Sequence, residues 1–123
     1  MTRILVAEDE RDIRELIQLT LEFSSFDVVS VPDGLEAVKA ATSDPNIDLI
    51  LMDVRMPRMT GYEACRQLKE QDTTRNIPVI FLSAKGQEAE VQAGLDVGAV
   101  QYILKPFAPD ALIRKIREVL AHN

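Results

Sequence analysis

Residues Leu49-Ile50-Leu51-Met52-Asp53 form an unbroken apolar run closed by an acid. A strand with one wet face would alternate apolar and polar positions. A continuous run of this length suits a strand covered on both faces, as in a parallel sheet. Working outward, comparable runs occur at Ile4–Ala7, Phe26–Val31, Val79–Leu82 and Val100–Leu104. Between them the apolar residues fall three and four apart. Ile13, Leu16, Ile17 and Leu21 share one predicted helix face. So do Leu35, Val38 and Ala41, and later Leu112, Ile113, Ile116, Val119 and Leu120. Such stripes pack against a sheet. Gly61, Cys65 and Leu68 mark a third helix. Residues Gln87 to Val97 give a fourth, weakened by Gly94, which costs about 1 kcal/mol relative to alanine.

The punctuation fits. Pro32-Asp33-Gly34 ends the second strand and opens the second helix, Asp44-Pro45-Asn46 separates that helix from the third strand, and Pro109-Asp110 suits a first helical turn. Five consecutive βα units imply an α/β fold with a parallel sheet and right-handed crossovers. The expected architecture is a three-layer doubly wound (βα)5 sandwich of flavodoxin-like strand order 2-1-3-4-5.

The chain has 123 residues, the size of one domain, and residues 1–123 are read as one unit. Its net charge of −6 counts against a sequence-independent grip on nucleic acid, which needs a basic face. The single cysteine, Cys65, excludes an internal disulfide and a cysteine-rich zinc site and is expected to be a half-buried packing thiol. The apolar start, Ile4–Ala7, is too short for a signal peptide or a membrane span, so a cytoplasmic protein without membrane contact is expected.

In doubly wound sheets ligands bind beyond the carboxyl ends of the strands, at the switch between strands 1 and 3. Strand 1 ends in Glu8-Asp9, strand 3 in Asp53, strand 4 in Ser83 and strand 5 in Lys105-Pro106. Pro32-Asp33, after strand 2, lies further from the switch point. Two carboxylates ~4 Å apart repel by roughly 4 kcal/mol at an effective dielectric of 20, so three need a proton or a cation. Oxygen ligands without His or Cys select magnesium first and manganese second. Lys105 adds a fixed positive charge, and Ser83 can donate to a phosphoryl oxygen. An aspartate between metal and lysine can act as a nucleophile that forms an aspartyl phosphate. Each signal alone has an ordinary reading as turn or surface sequence. Their joint placement at the ends of four strands points to a site.

These residues resemble the receiver domain of two-component response regulators. The resemblance rests on Ile4-Leu5-Val6-Ala7-Glu8-Asp9-Glu10, Met52-Asp53-Val54-Arg55-Met56-Pro57, Thr60-Gly61, Leu82-Ser83-Ala84-Lys85 and Tyr102-Ile103-Leu104-Lys105-Pro106-Phe107, and it covers essentially the whole chain. It implies that Asp53 accepts phosphate from a sensor histidine kinase or a histidine phosphotransfer protein. It implies magnesium held by Asp9, Asp53 and the backbone carbonyl of Arg55, with Glu8 acting through water. Lys105 would pair with the phosphoryl group and Ser83 would close onto it. Tyr102 would turn inward to report that closure, and Lys105-Pro106 would be cis. A downstream protein would dock on the face of the fourth helix, fifth strand and fifth helix, with the chain a monomer or a weak phosphorylation-dependent dimer.

There are departures. Glu8 stands where aspartate is commoner, and Ser83 where threonine is commoner. Val100-Gln101 and Ala121-His122 lack the charges of the DNA-binding members, which puts their salt-bridged dimer in doubt. His122 reads as a helix-end cation. Arg55 and Lys85 should rim the site and slow phosphate hydrolysis, an expectation that an unchanged phosphate lifetime in Arg55→Asn would sink. The expected product is a conformation, so the chain is read as a signalling switch, enzyme-like only in its own phosphotransfer and dephosphorylation. A small-molecule phosphatase with an aspartate nucleophile would usually carry a second acid where Arg55 stands. A flavodoxin-like carrier would need a Ser/Thr/Gly-rich phosphate loop where Glu8-Asp9-Glu10 stands.

Overall fold

The computed structural model describes residues 1–84 and 88–122. Along the chain run β1 (Arg3–Ala7), α1 (Arg11–Phe23), β2 (Asp27–Val31), α2 (Gly34–Ser43), β3 (Leu49–Asp53), α3 (Gly61–Glu70), β4 (Val79–Ala84), α4 (Glu88–Asp96), β5 (Gln101–Lys105) and α5 (Pro109–Ala121). The strands pair in parallel in the order β2-β1-β3-β4-β5. This is the expected doubly wound sandwich. The boundaries shift slightly: β2 begins after Phe26, β4 runs through Ser83, and β5 takes in Lys105.

The central β3 is buried at every position, whereas the edge strand β2 is only half-buried throughout. Side chains alternate across each strand, so the two faces feed separate cores. Ile4, Val6, Leu49, Leu51, Ile80, Leu82 and Ile103 pack with Ile17 and Leu21 of α1 and Leu112, Ile113 and Ile116 of α5. Leu5, Ala7, Ile50, Met52, Val79 and Phe81 pack with Ala37 and Ala41 of α2 and Ala64, Cys65 and Leu68 of α3.

Some predicted core positions are corrected. On α1 the stripe is Ile13, Ile17 and Leu21 at strict fourfold spacing, and Leu16 is turned 54% exposed to solvent. Cys65 is fully rather than half buried, its thiol 3.6 Å from the Val97 carbonyl oxygen. Burial pushes that thiol's pKa up, against the smaller opposing charge of Lys69.

Gly94 has a packing reason that the sequence did not disclose. A Cβ there would lie 2.5 Å from the ring of Phe81, so the missing side chain lets α4 rest directly on that ring. Tyr62 braces Phe81 from α3, edge to face, with ring centroids 5.5 Å apart. Helix ends follow ordinary chemistry. Asp33 caps α2 by accepting from Glu36 N at 2.8 Å, and Thr60 caps α3 by accepting from Glu63 N at 3.2 Å. His122 follows α5 and donates from Nδ1 to the Glu118 carbonyl at 2.7 Å.

Candidate functional site

Three core rows end in charge. Ile4 and Val6 lead to Glu8, Leu49 and Leu51 lead to Asp53, and Ile103 leads to Lys105, all on the α1/α5 face by alternation. Ala7 pairs with Met52, which sets Glu8 beside Asp53. Lys105 pairs with Ala84, two residues beyond the Leu82 that pairs with Asp53, and its arm reaches back. Its ammonium donates to Glu8 Oε1 at 2.7 Å and to Asp53 Oδ2 at 2.8 Å.

Glu8 is fully buried and Asp53 is 8% exposed, while Asp9 lies at the surface. One oxygen from each of the three lies within 4.8 Å of the others. Desolvation pushes Glu8 up to about 7, with Asp53 adding to the rise and Lys105 opposing it. Lys105 is itself desolvated, which favours its neutral form, yet its hydrogen bonds and charge pairing with Asp53 and Glu8 prevail and its pKa is raised. Three carboxylates facing one ammonium leave two negative charges to balance when all are ionised. A divalent cation fits that deficit, and an all-oxygen donor set fits magnesium or manganese.

The backbone around these groups is also held. Arg14 of α1 donates to the Glu8 carbonyl at 2.8 Å and lies 3.5 Å from that of Asp9. This fixes the β1–α1 turn, since Glu10, at the α1 N-cap, makes no side-chain cap bond. Arg55 N approaches Asp53 Oδ1 at 3.4 Å, and the Arg55 side chain is exposed at the rim. The Lys105–Pro106 peptide is cis. Ser83 is buried beside the site, and by alternation it shares the opposite sheet face with Phe81 and Tyr102. Tyr102 is 36% exposed. Lys85 lies outside the described residues. Sequence reading missed Arg14, whose guanidinium follows Asp9 by five residues and gave no signal of a backbone contact. It also missed Arg58, which bridges to Asp33.

Comparison with known proteins agrees. The sequence profile of the response regulator receiver domain matches residues 4–117. Response regulator ArlR of Staphylococcus saprophyticus is 41% identical over 120 residues, covering 98% of this chain and 53% of ArlR. The alkaline phosphatase synthesis transcriptional regulatory protein PhoP of Bacillus subtilis is 39% identical over 121 residues, covering 98% of this chain and 49% of PhoP. The chain therefore spans about half the length of the curated relatives it matches. Among solved structures, the chemotaxis response regulator CheY4 of Vibrio cholerae superimposes with a TM-score of 0.91 at 31% identity, covering 97% of this chain and 98% of that one. The receiver domain of the sensor histidine kinase PA1611 of Pseudomonas aeruginosa, solved with a magnesium ion coordinated in its active-site cleft, gives 0.90 at 32% identity and 98% coverage of each chain. No described helix is long and apolar enough to cross a membrane. With its acidic residues and lysine gathered at the switch point of a 2-1-3-4-5 sheet, this chain belongs to the response regulator receiver domain family of two-component systems.

Proposed function

We propose that the chain is a phosphorylation-activated switch whose phosphoacceptor is Asp53. One observation supports this above the rest: a nearly buried aspartate lies between an acidic ledge and a lysine that already hydrogen-bonds it at 2.8 Å. Asp9, Asp53 and the Arg55 carbonyl would hold magnesium, with Glu8 acting through water. When bound, the ion offsets the charge of carboxylates and phosphoryl oxygens alike. The phosphoryl group passes from a phosphohistidine of a sensor kinase or phosphotransfer protein. The N–P bond breaks, its electron pair returns to the imidazole, and an Asp53 oxygen takes the phosphorus. Lys105 then pairs with a phosphoryl oxygen, and Ser83 donates to another.

The phosphoryl group adds about two negative charges at Asp53. Ser83 moves toward it, and space opens on the face that Ser83 shares with Tyr102. An inward Tyr102 would change the α4–β5–α5 surface, where Leu95, Val100 and Leu104 are exposed for a downstream protein. Arg55 rims the phosphoryl group and slows its hydrolysis. The module acts in the cytoplasm on protein partners, without direct contact to nucleic acid, as a monomer or a weak phosphorylation-dependent dimer.

Acetyl phosphate with magnesium tests this reading. Intact-mass measurement should show one added phosphoryl group, absent in Asp53→Ala and absent when magnesium is chelated. No adduct in the wild type, or one that survives the substitution, overturns it.

A further inference from the structure

The loop between β3 and α3 leaves the strand directly after Asp53 and carries Arg55. Its base is closed: Gly61 N donates to the Val54 carbonyl at 2.8 Å, and a Cβ at Gly61 would lie 2.3 Å from the Asp53 carbonyl oxygen. Its tip is held by a different element. Arg58 has φ 67°, the left-handed region that non-glycine residues rarely adopt. Its guanidinium lies 3.3 Å from Asp33 Oδ2 and 3.8 Å from Glu36 Oε1, both at the start of α2. Beside it, a Cβ on Gly34 would come 2.3 Å from the Met59 carbonyl oxygen, so loop and helix meet with no side chain between them.

Glycine would be the cheaper residue at φ 67°. A half-exposed arginine in an ordinary surface pair adds little stability. This pair differs because the Asp33 side chain is only 5% exposed. One Asp33 oxygen caps α2 and the other faces Arg58, so the carboxylate links helix start and loop tip at once. A loop already fixed needs no ordering when a ligand arrives, and that ordering would otherwise be subtracted from affinity.

We propose that Arg58 and Asp33 form a latch that presets the β3–α3 loop for a divalent cation, which makes both of them positioning residues for phosphorylation. This rests on the receiver reading of the site. It gives a role to the end of β2, which lies across β1 from the phosphoacceptor strand.

The test uses magnesium alone, read as the rise in unfolding temperature without any phosphate donor, and then the rate of uptake from acetyl phosphate against magnesium concentration. Arg58→Gly suits the backbone and removes the charge. Asp33→Asn keeps the cap and removes the charge. In either variant the magnesium concentration for half-effect should rise about tenfold, as for groups that support metal ligands indirectly. The uptake rate at saturating magnesium should stay within about twofold, the pattern of weakened binding with intact chemistry. Arg58→Lys should recover part of the affinity, and the double variant should match the singles because one link is lost only once. Unchanged magnesium dependence in both singles, or additive losses in the double, overturns the latch. If the wild type shows both responses and the variants match it, only the latch fails. If the wild type shows neither response to magnesium nor uptake, the receiver reading fails and the latch with it.

Discussion

The two ends of the sheet carry the same inventory in different settings. At the amino end, Arg3 Nε meets Asp27 at 2.6 Å, Arg3 Nη1 meets Asp44 at 2.7 Å, and Arg3 N donates to Asp48 at 2.9 Å. At the carboxyl end Lys105 meets Glu8 and Asp53, with Asp9 alongside. Each end sets three carboxylates around one basic residue. At the amino end water reaches every partner, and Asp44 is held below the usual carboxylate range by the Asn46 amide first and Arg3 second. At the carboxyl end Glu8 is closed to solvent, and its carboxyl is pushed up instead. The solvated cluster staples the base of the sheet. The buried one holds charge that a cation and a phosphoryl group can complete.

The largest break between the ends should be in chemistry. Asp9→Asn is expected to slow uptake from acetyl phosphate by about a hundredfold or more at fixed magnesium. Asp48→Asn should leave that rate within about twofold. Equal losses would mean that the amino-end cluster also serves the reaction.

Stability comes next. Lys105→Ala strips the partner from two buried carboxylates and should cost about 3 kcal/mol in urea unfolding at pH 8 without magnesium. Arg3→Ala leaves carboxylates that water can solvate, so its loss should be clearly smaller. The reverse order would remove burial as the distinction.

Removing acids should then move the ends in opposite directions. Asp53→Asn relieves repulsion with Glu8 and Asp9 and should stabilise the magnesium-free protein by about 1 kcal/mol. Asp44→Asn loses an attraction and should lower the unfolding temperature.

The finest test is pH. Glu8 binds its proton more tightly folded than unfolded, so its contribution is full below its ordinary value and is lost as pH rises through about 7. The stability of magnesium-free wild type relative to Glu8→Gln should therefore fall between pH 5 and pH 8. Magnesium, which favours the ionised form, should shift unfolding more at pH 8 than at pH 6. Asp44, held low, contributes above its ordinary value and loses that contribution on acidification. A flat difference curve for Glu8→Gln would leave Glu8 with no buried proton to lose.

The fold was legible because apolar runs and helical stripes report burial directly. The charged corner was legible because Glu8, Asp53 and Lys105 close apolar runs, and the carboxyl ends of such strands meet at one edge of the sheet. What escaped depends on contacts that no local pattern encodes. Leu16 looks like core until the sheet selects a narrower stripe. Gly94 looks like a defect until Phe81 lies beneath it. Arg58 in a left-handed turn gives no signal, because glycine or asparagine is what such a turn advertises. Asp33 reads as a turn residue and a helix cap, and its second oxygen acquires a partner only from a loop 25 residues away.

Gly94 has one more consequence. Helix α4 meets the sheet through a position without a side chain, while Gln92, Ala93, Leu95 and Asp96 around it are exposed. Its seat and its outer surface are thus written in separate letters. The outward residues can be exchanged without disturbing that seat, while a single methyl group at position 94 would lift the helix off its ring. An engineer who rewrote the outer residues of α4 would do well to leave one hydrogen atom alone.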